Sequence, residues 1–75
     1  MNMERITLDP NVMSGKPCIR GLRVTVSNVL RQLANQRTRE EILASYPYLE
    51  MEDIDACLTF AADFADDEEL VLNPA

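Results

Sequence analysis

The sequence TREEILASYPYLEMEDI, residues 38–54, predicts a helix, a tight turn and the start of a second helix. Thr38 and Glu41 have the spacing of a capping box, in which each side chain bonds to the backbone amide of the other residue. Pro47 ends the helix, because proline lacks the amide hydrogen that a helix interior requires. We therefore predict a helix over residues 39–46, followed by the turn PYLE.

The helix after this turn is predicted over residues 51–66. With about 100° between successive residues, its apolar and polar side chains separate into two arcs. The apolar arc contains Met51, Ile54, Cys57, Leu58, Ala61, Phe64 and Ala65. The polar arc, which we expect to face solvent, contains Glu52, Asp53, Asp55, Thr59, Asp63 and Asp66. Phe60 lies at the edge of the polar arc, as either an ordinary exposed apolar residue or a partner contact.

Another helix is predicted upstream, over residues 26–35, with Thr25 as its N-cap. Its apolar residues recur at i, i+3, i+4, i+7 and i+8, and they are Val26, Val29, Leu30, Leu33 and Ala34. Residues 4–24 are predicted to be short extended pieces that begin with an alternating strand. Pro17 favours an extended conformation for the residue before it, and Gly21 is expected to supply a positive φ or a bulge.

The predicted fold class is mainly α: a short N-terminal β segment or hairpin, then three helices, the last two arranged as in a helix-turn-helix. We expect one domain over residues 1–66 and an acidic, mobile tail over residues 67–75. A chain this short buries only about 60% of its unfolded surface, so further stabilisation is needed. The sequence lacks histidine and zinc-ligand spacing, so we expect a homodimer or a partner protein rather than a metal or cofactor.

The sequence also predicts a location. There is no apolar N-terminal signal segment, which leads us to expect the reducing cytoplasm and free thiols. A Cys18–Cys57 disulfide is the alternative that the sequence leaves. No apolar run approaches the length that crosses a membrane.

Charge divides the chain into two halves. Residues 1–39 contain all seven cations and two acids, a net charge of +5, whereas residues 40–75 contain eleven acids and no cation, a net charge of −11. This asymmetry indicates either a charged partner or attraction between the two halves, within one chain or across a dimer. The candidate contacts to nucleic acid or to carboxylates are Lys16, Arg20, Arg23, Arg31, Arg37 and Arg39.

The segment GKPCIRGLRV, residues 15–24, contains both glycines and three of the cations. It is not a Walker loop, since Pro17 stands where that loop needs serine or threonine. Cys18 is two residues from Lys16 and from Arg20, which favours a thiolate. Without a histidine base or a second cysteine nearby, we expect a packed side chain instead. No carboxylate pair is forced into a pocket by its position, so we predict no catalytic residue and no enzyme.

The helix-turn-helix layout raises the question of DNA binding. In that motif the second helix enters the major groove with its first residues. Here that helix begins with Glu50, Met51, Glu52 and Asp53 and contains no lysine or arginine. Any DNA contact is therefore expected from the basic N-terminal half.

Two blocks of sequence resemble a known family. The first is Asp9-Pro10 followed by GKPCIRGLRV, and the second follows the pattern EEIL--YP-L--EDI, then an apolar helix through Ala62. Over residues 4–65 the chain resembles the bacterial domain-of-unknown-function family 433. Leu22 departs from the family's usual threonine, and Glu50 stands where the family often has a threonine cap.

The resemblance implies a homeodomain-like or winged-helix-like fold and an antitoxin-like role in a bacterial toxin–antitoxin pair. The usual partner is a PIN-like ribonuclease, operator DNA is a further candidate, and no catalytic residue is carried over. The candidate partner contacts are Phe60, Asp63, Asp66, Asp67, Glu68, Glu69, Leu70 and Leu72. The alternatives are a stand-alone DNA-binding regulator and a structural or adaptor dimer without a nucleic-acid partner.

Overall fold

The computed structural model describes residues 3–67, which form a two-stranded antiparallel sheet, three α-helices and two short 3₁₀ helices at Met3–Arg5 and Met13–Gly15. The elements are β1 (Ile6–Thr7), β2 (Cys18–Ile19), α1 (Val26–Ala34), α2 (Arg39–Ser45) and α3 (Met51–Asp67). This order confirms the mainly α class with a short β segment before three helices. Each helix begins at its predicted residue and ends within one residue of its predicted end. Residues 68–75, where most of the predicted tail falls, lie outside the described residues.

Local side-chain caps start the first two helices, as the sequence predicts. The Thr25 hydroxyl accepts a hydrogen bond of 3.0 Å from the Asn28 amide. At α2 the capping box is complete, since the Glu41 amide donates to the Thr38 hydroxyl and the Thr38 amide donates to the Glu41 carboxylate. Hydrogen bonds to the Glu41 carboxylate, first from the Thr38 amide and then from the Thr38 side chain, lower the pKa of Glu41.

A tight turn leads out of the small sheet. β1 pairs with β2 through Ile6 and Ile19, and the Ile19 carbonyl accepts a 2.7 Å hydrogen bond from the Leu22 amide. The two central residues, Arg20 and Gly21, have φ values of 46° and 72°. Positive φ at both positions defines a type I′ turn. The expected role of Gly21 is confirmed, and Arg20 shares its left-handed conformation.

The core draws on both strands and all three α-helices. Three of its fully buried side chains are Ile19 from β2, Ile42 from α2 and Ile54 from α3. Around them lie Ile6, Val24, Val26, Val29, Leu49, Ala56 and Cys57. Cys18 and Cys57 are both buried and free, and burial raises the pKa of the Cys57 thiol to about 11. None of the helices within residues 3–67 has the length and apolar character needed to cross a membrane.

The buried face of α3 differs from the predicted arc. Met51, Leu58 and Phe64, expected in the core, are 37%, 39% and 58% exposed. Asp53, expected in solvent, is fully buried, and Phe60 is half-buried against the core. The prediction of a solvent-facing Asp53 is therefore wrong. The carboxylate can be buried because Arg5 and Arg20, which are distant in sequence, neutralise it inside the fold.

Candidate partner-binding surface

An ion-pair cluster joins the N-terminal β segment to the first turn of α3. At its centre is Asp53, which is fully buried. The Arg20 guanidinium binds both carboxylate oxygens, with Nε–Oδ1 and Nη2–Oδ2 distances of 3.1 and 2.9 Å. Arg5 Nη1 lies 2.8 Å from Asp53 Oδ1 and 2.8 Å from Glu50 Oε1. Such bidentate, charge-assisted pairing is the strongest kind of side-chain hydrogen bonding.

The same carboxylate also caps α3. Asp53 Oδ2 accepts the Glu50 amide at 2.8 Å, the contact that the third helical residue makes in a capping box. Burial acts to raise the pKa of Asp53, but hydrogen bonds from Arg20, from the Glu50 amide and from Arg5 outweigh it, and the pKa is lowered. The pKa of Arg5 is raised, mainly by its hydrogen bond to Glu50, and that of Arg20 mainly by its bond to Asp53.

The ion-pair cluster holds the fold together, and both carboxylate oxygens of its buried Asp53 accept hydrogen bonds within it. Arg20 completes its bonding by donating to the Tyr48 carbonyl at 2.8 Å. Within residues 3–67, every buried side-chain nitrogen and oxygen has a hydrogen-bond partner. Sequence patterns do not predict this cluster, because Arg5 is not among the candidate contacts and Asp53 is expected to face solvent. The sequence does contain one indication of the cluster: Asp53 follows the N-cap position, Glu50, by three residues, which is the spacing of a capping box.

The six candidate cations fall into two groups. Arg20 pairs with Asp53, Arg39 pairs with Asp55, and Arg37 donates to the Glu41 carbonyl and the Ser45 hydroxyl. The other three are exposed and form no ion pair with the rest of residues 3–67, and they are Lys16, Arg23 and Arg31. The structure thus brings part of the basic half onto carboxylates of the acidic half.

An open apolar groove of about 230 Å³ lies between α1 and the C-terminal half of α3. Its lining residues are Pro17, Val26, Ser27, Leu30, Phe60, Ala61 and Phe64. The two phenylalanines differ, because Phe60 packs partly against the core whereas Phe64 remains 58% exposed. The groove therefore presents an aromatic surface to the outside of the molecule.

The remaining partner-contact candidates lie beside or beyond this groove. Phe60 lines it, Asp63 is half-buried one turn further along α3, and Asp66 is exposed. Asp67 is the last residue of α3. Four candidates lie outside the described residues, namely Glu68, Glu69, Leu70 and Leu72. Of the candidates within residues 3–67, only Phe60 lines the groove.

The fold and this surface define a small helical domain whose β segment is fastened to its last helix by buried charge. The family model DUF433, described as a protein of unknown function, matches residues 6–61, and the chain belongs to that family. The predicted resemblance is confirmed, and the matched range includes both Arg20 and Asp53. Neither the search of curated proteins nor the search of solved structures gave a match.

Proposed function

We propose that this chain is a non-enzymatic protein-binding module of the cytoplasm, the antitoxin of a bacterial toxin–antitoxin pair that binds a PIN-like ribonuclease. The observation that carries the proposal is the open apolar groove, with Phe64 58% exposed. Large aromatic side chains are enriched in protein interfaces and supply much of their binding energy. An exposed phenylalanine next to a groove is therefore a suitable anchor for a partner.

The shape of the groove favours a protein ligand over a small molecule. Small-molecule sites are concave cavities of about 300–1,000 Å³ with several convergent polar groups. This groove measures about 230 Å³, is open, and has the Ser27 hydroxyl among otherwise apolar side chains. The buried polar groups of the ion-pair cluster bind one another and offer no acceptor to a substrate. These features support binding rather than catalysis.

Charge supports a ribonuclease as the partner. Residues 40–75 contain eleven acids and no cation. A protein that binds RNA presents a positive surface to the phosphates, and an acidic surface is complementary to it. The acids of this half that do not pair with Arg5, Arg20 or Arg39 would thus cover the RNA-binding groove of the enzyme while the apolar groove supplies affinity.

The test is co-expression of the full chain with a PIN-like ribonuclease encoded beside its gene. We expect a stable complex on purification and loss of RNA cleavage in that complex. The triple variant D63N/D66N/D67N is expected to weaken the complex in low salt. A ribonuclease that neither co-purifies nor loses activity at low salt would contradict the proposal. Light scattering on the free chain tests the proposed homodimer, which should have twice the monomer mass.

DNA binding is a second candidate, and it is favoured by three exposed cations that form no ion pair with other described residues, namely Lys16, Arg23 and Arg31. Each phosphate contact contributes about −0.9 to the slope of log K against log salt. We expect R23A and R31A each to weaken binding for all sequences and to reduce that slope. Arg20 is unsuitable for this test because its removal also breaks the ion-pair cluster. Absence of binding at low salt would remove this function.

A further inference from the structure

We propose that the groove of the free chain is filled by a second copy of the same chain, in a two-fold dimer. Phe64 of each copy enters the groove of the other, and Asp63 of each copy faces Lys16 and Arg31 of the other. The inference rests on the homodimer of the proposed function, and it adds the interface that forms this dimer. In a two-fold interface the same patch of both subunits is self-complementary, so each contact occurs twice.

The core-facing side of α3 continues beyond the core. Cys57, Phe60 and Phe64 lie on one side of the helix, at i, i+3 and i+7. Cys57 is fully buried, Phe60 is half-buried and Phe64 is 58% exposed. After Cys57, no residue of α3 through Asp66 is buried. The groove is thus the end of a core face that residues 3–67 leave partly open, and covering it would remove apolar area from water.

One edge of the groove is basic. Pro17 lines the groove and its carbonyl accepts the Val26 amide at 3.0 Å, which places Lys16 beside the first turn of α1. Arg31 follows Ser27, another lining residue, by four positions and so lies on the same side of α1. Lys16 and Arg31 are exposed and form no ion pair with other described residues. Two cations therefore border the α1 edge.

The other edge is acidic. Asp63 follows Phe60 by three residues, so it flanks the lining residues of α3. It is half-buried, and it forms no ion pair with other described residues. The next position on this side of the helix, four residues further on, is Asp67. The groove therefore has opposite charges along its two edges.

These opposite charges select the occupant. A basic helix would satisfy the α3 edge but repel the α1 edge. The chain's own residues 68–75 contain two acids and no cation, so they would repel the α3 edge. A second copy, related by a two-fold axis, brings its basic edge to the acidic edge and its acidic edge to the basic one. Of these three occupants, only the second copy matches both edges.

The dimer affects how the ribonuclease binds. The same groove is its proposed site, so the second copy and the ribonuclease compete for it. We expect a free dimer that dissociates on dilution, and one copy of the chain for each ribonuclease in the complex. In dilute solution the chain is a monomer, and effects of substitutions on unfolding are compared in that state.

The test exchanges the charges of the two edges in the full chain, with the mass measured by light scattering over a concentration series at low salt. Asp63→Arg and Arg31→Glu are each expected to weaken the dimer about tenfold or more, because like charges then face each other. Mixed in equal amounts, the two variants should form a heterodimer within about threefold of the wild-type affinity, because both contacts regain opposite charges. A mixture as weak as either variant alone would overturn the proposal.

Matched controls locate the contact. Glu40→Arg, at an exposed acid of α2, should neither weaken the dimer nor restore it when mixed with Arg31→Glu. Phe64→Ser should weaken the dimer about tenfold or more, whereas Leu58→Ser, at another exposed apolar residue of α3, should change it less than about twofold. Equal effects of Phe64→Ser and Leu58→Ser, or restoration by Glu40→Arg, would contradict the assigned interface. Circular dichroism confirms that each variant is folded.

Three further outcomes separate this inference from the proposed function. If the wild type is a dimer that neither Phe64→Ser nor the charge variants weaken, the inference is wrong and the proposed homodimer stands. If the wild type is a monomer at every concentration yet captures the ribonuclease, the inference is wrong and ribonuclease binding stands. If the charge-exchanged pair dimerises but the ribonuclease is not captured, the interface is supported and the antitoxin function is contradicted.

Discussion

The two ends of α3 contain the same kinds of residue but have different roles. Near its start, Asp53 is fully buried and paired with Arg5 and Arg20. Towards its end, Asp63 forms no ion pair with the rest of residues 3–67, and Phe64 is 58% exposed. The first end fastens the β segment to the helices, whereas the second end is available to another molecule.

This difference shows how the two charged halves of the chain meet. Three cations of the basic half contact acids of the acidic half within one molecule, and the pairs are Arg5 with Glu50 and Asp53, Arg20 with Asp53, and Arg39 with Asp55. All these acids lie at or near the start of α3. Part of the charge asymmetry therefore serves the fold, because these acids bind arginines of the same chain.

The largest expected effect comes from removing the carboxylate at the buried end. Asp53→Ala should lower the free energy of unfolding by about 3 kcal/mol, because two guanidinium groups and the Glu50 amide lose their acceptor. Asp53→Asn should lose less, since an amide oxygen can still accept the Glu50 amide. Urea unfolding measures both, with Asp66→Ala as the control at the other end. Equal losses for Asp53→Ala and Asp66→Ala would remove the distinction between the two ends.

Acid should weaken the buried end as well. The pKa of Asp53 is lowered in the folded protein, against about 3.9 in the unfolded chain. Its contribution is therefore fully present above the unfolded pKa and is lost as pH falls through the lower folded pKa, because the unfolded state binds more protons. Glu41, whose pKa is also lowered, acts in the same direction. Unfolding free energies measured from neutral pH into the acid range should fall less steeply for Asp53→Asn than for wild type; parallel curves would contradict this assignment.

A smaller effect is expected at the exposed pair of Arg39 and Asp55. Surface ion pairs contribute about 0.2–1 kcal/mol, and salt screens them. Asp55→Ala should therefore cost at most about 1 kcal/mol in low salt and almost nothing in 1 M salt. Thermal unfolding at the two salt concentrations measures this. A cost as large as that of Asp53→Ala would show that the exposed pair of Asp55 contributes as much stability as the buried pair of Asp53.

The smallest effect on stability is expected at the exposed end. Phe64→Ser should change the free energy of unfolding by no more than about 0.5 kcal/mol, because more than half of the side chain is already in water. Ile54→Ala, in the fully buried part of the same helix, should cost about 2–5 kcal/mol. Chemical unfolding of the two variants side by side measures the contrast. Similar losses would mean that Phe64 belongs to the core and not to a binding surface.

Local sequence determined most of the secondary structure. Thr25 and the pair Thr38–Glu41 cap α1 and α2, and Gly21 supplies the positive φ of the tight turn. These features depend on residues within one helical turn of each other, so spacing and residue type suffice to predict them. The family was also recognisable from the two sequence blocks, which the match over residues 6–61 confirms.

Only the tertiary structure decided which face of α3 is buried. Periodicity places Met51 and Leu58 in the core, whereas in the structure both are exposed and Ala56 is buried instead. The decision depends on Asp53, whose partners Arg20 and Arg5 are 33 and 48 residues away. Sequence spacing cannot show that these charges meet, and it is their meeting that permits an acid to be buried. With Asp53 turned towards the core, Phe64 lies at the groove, where the partner is proposed to bind.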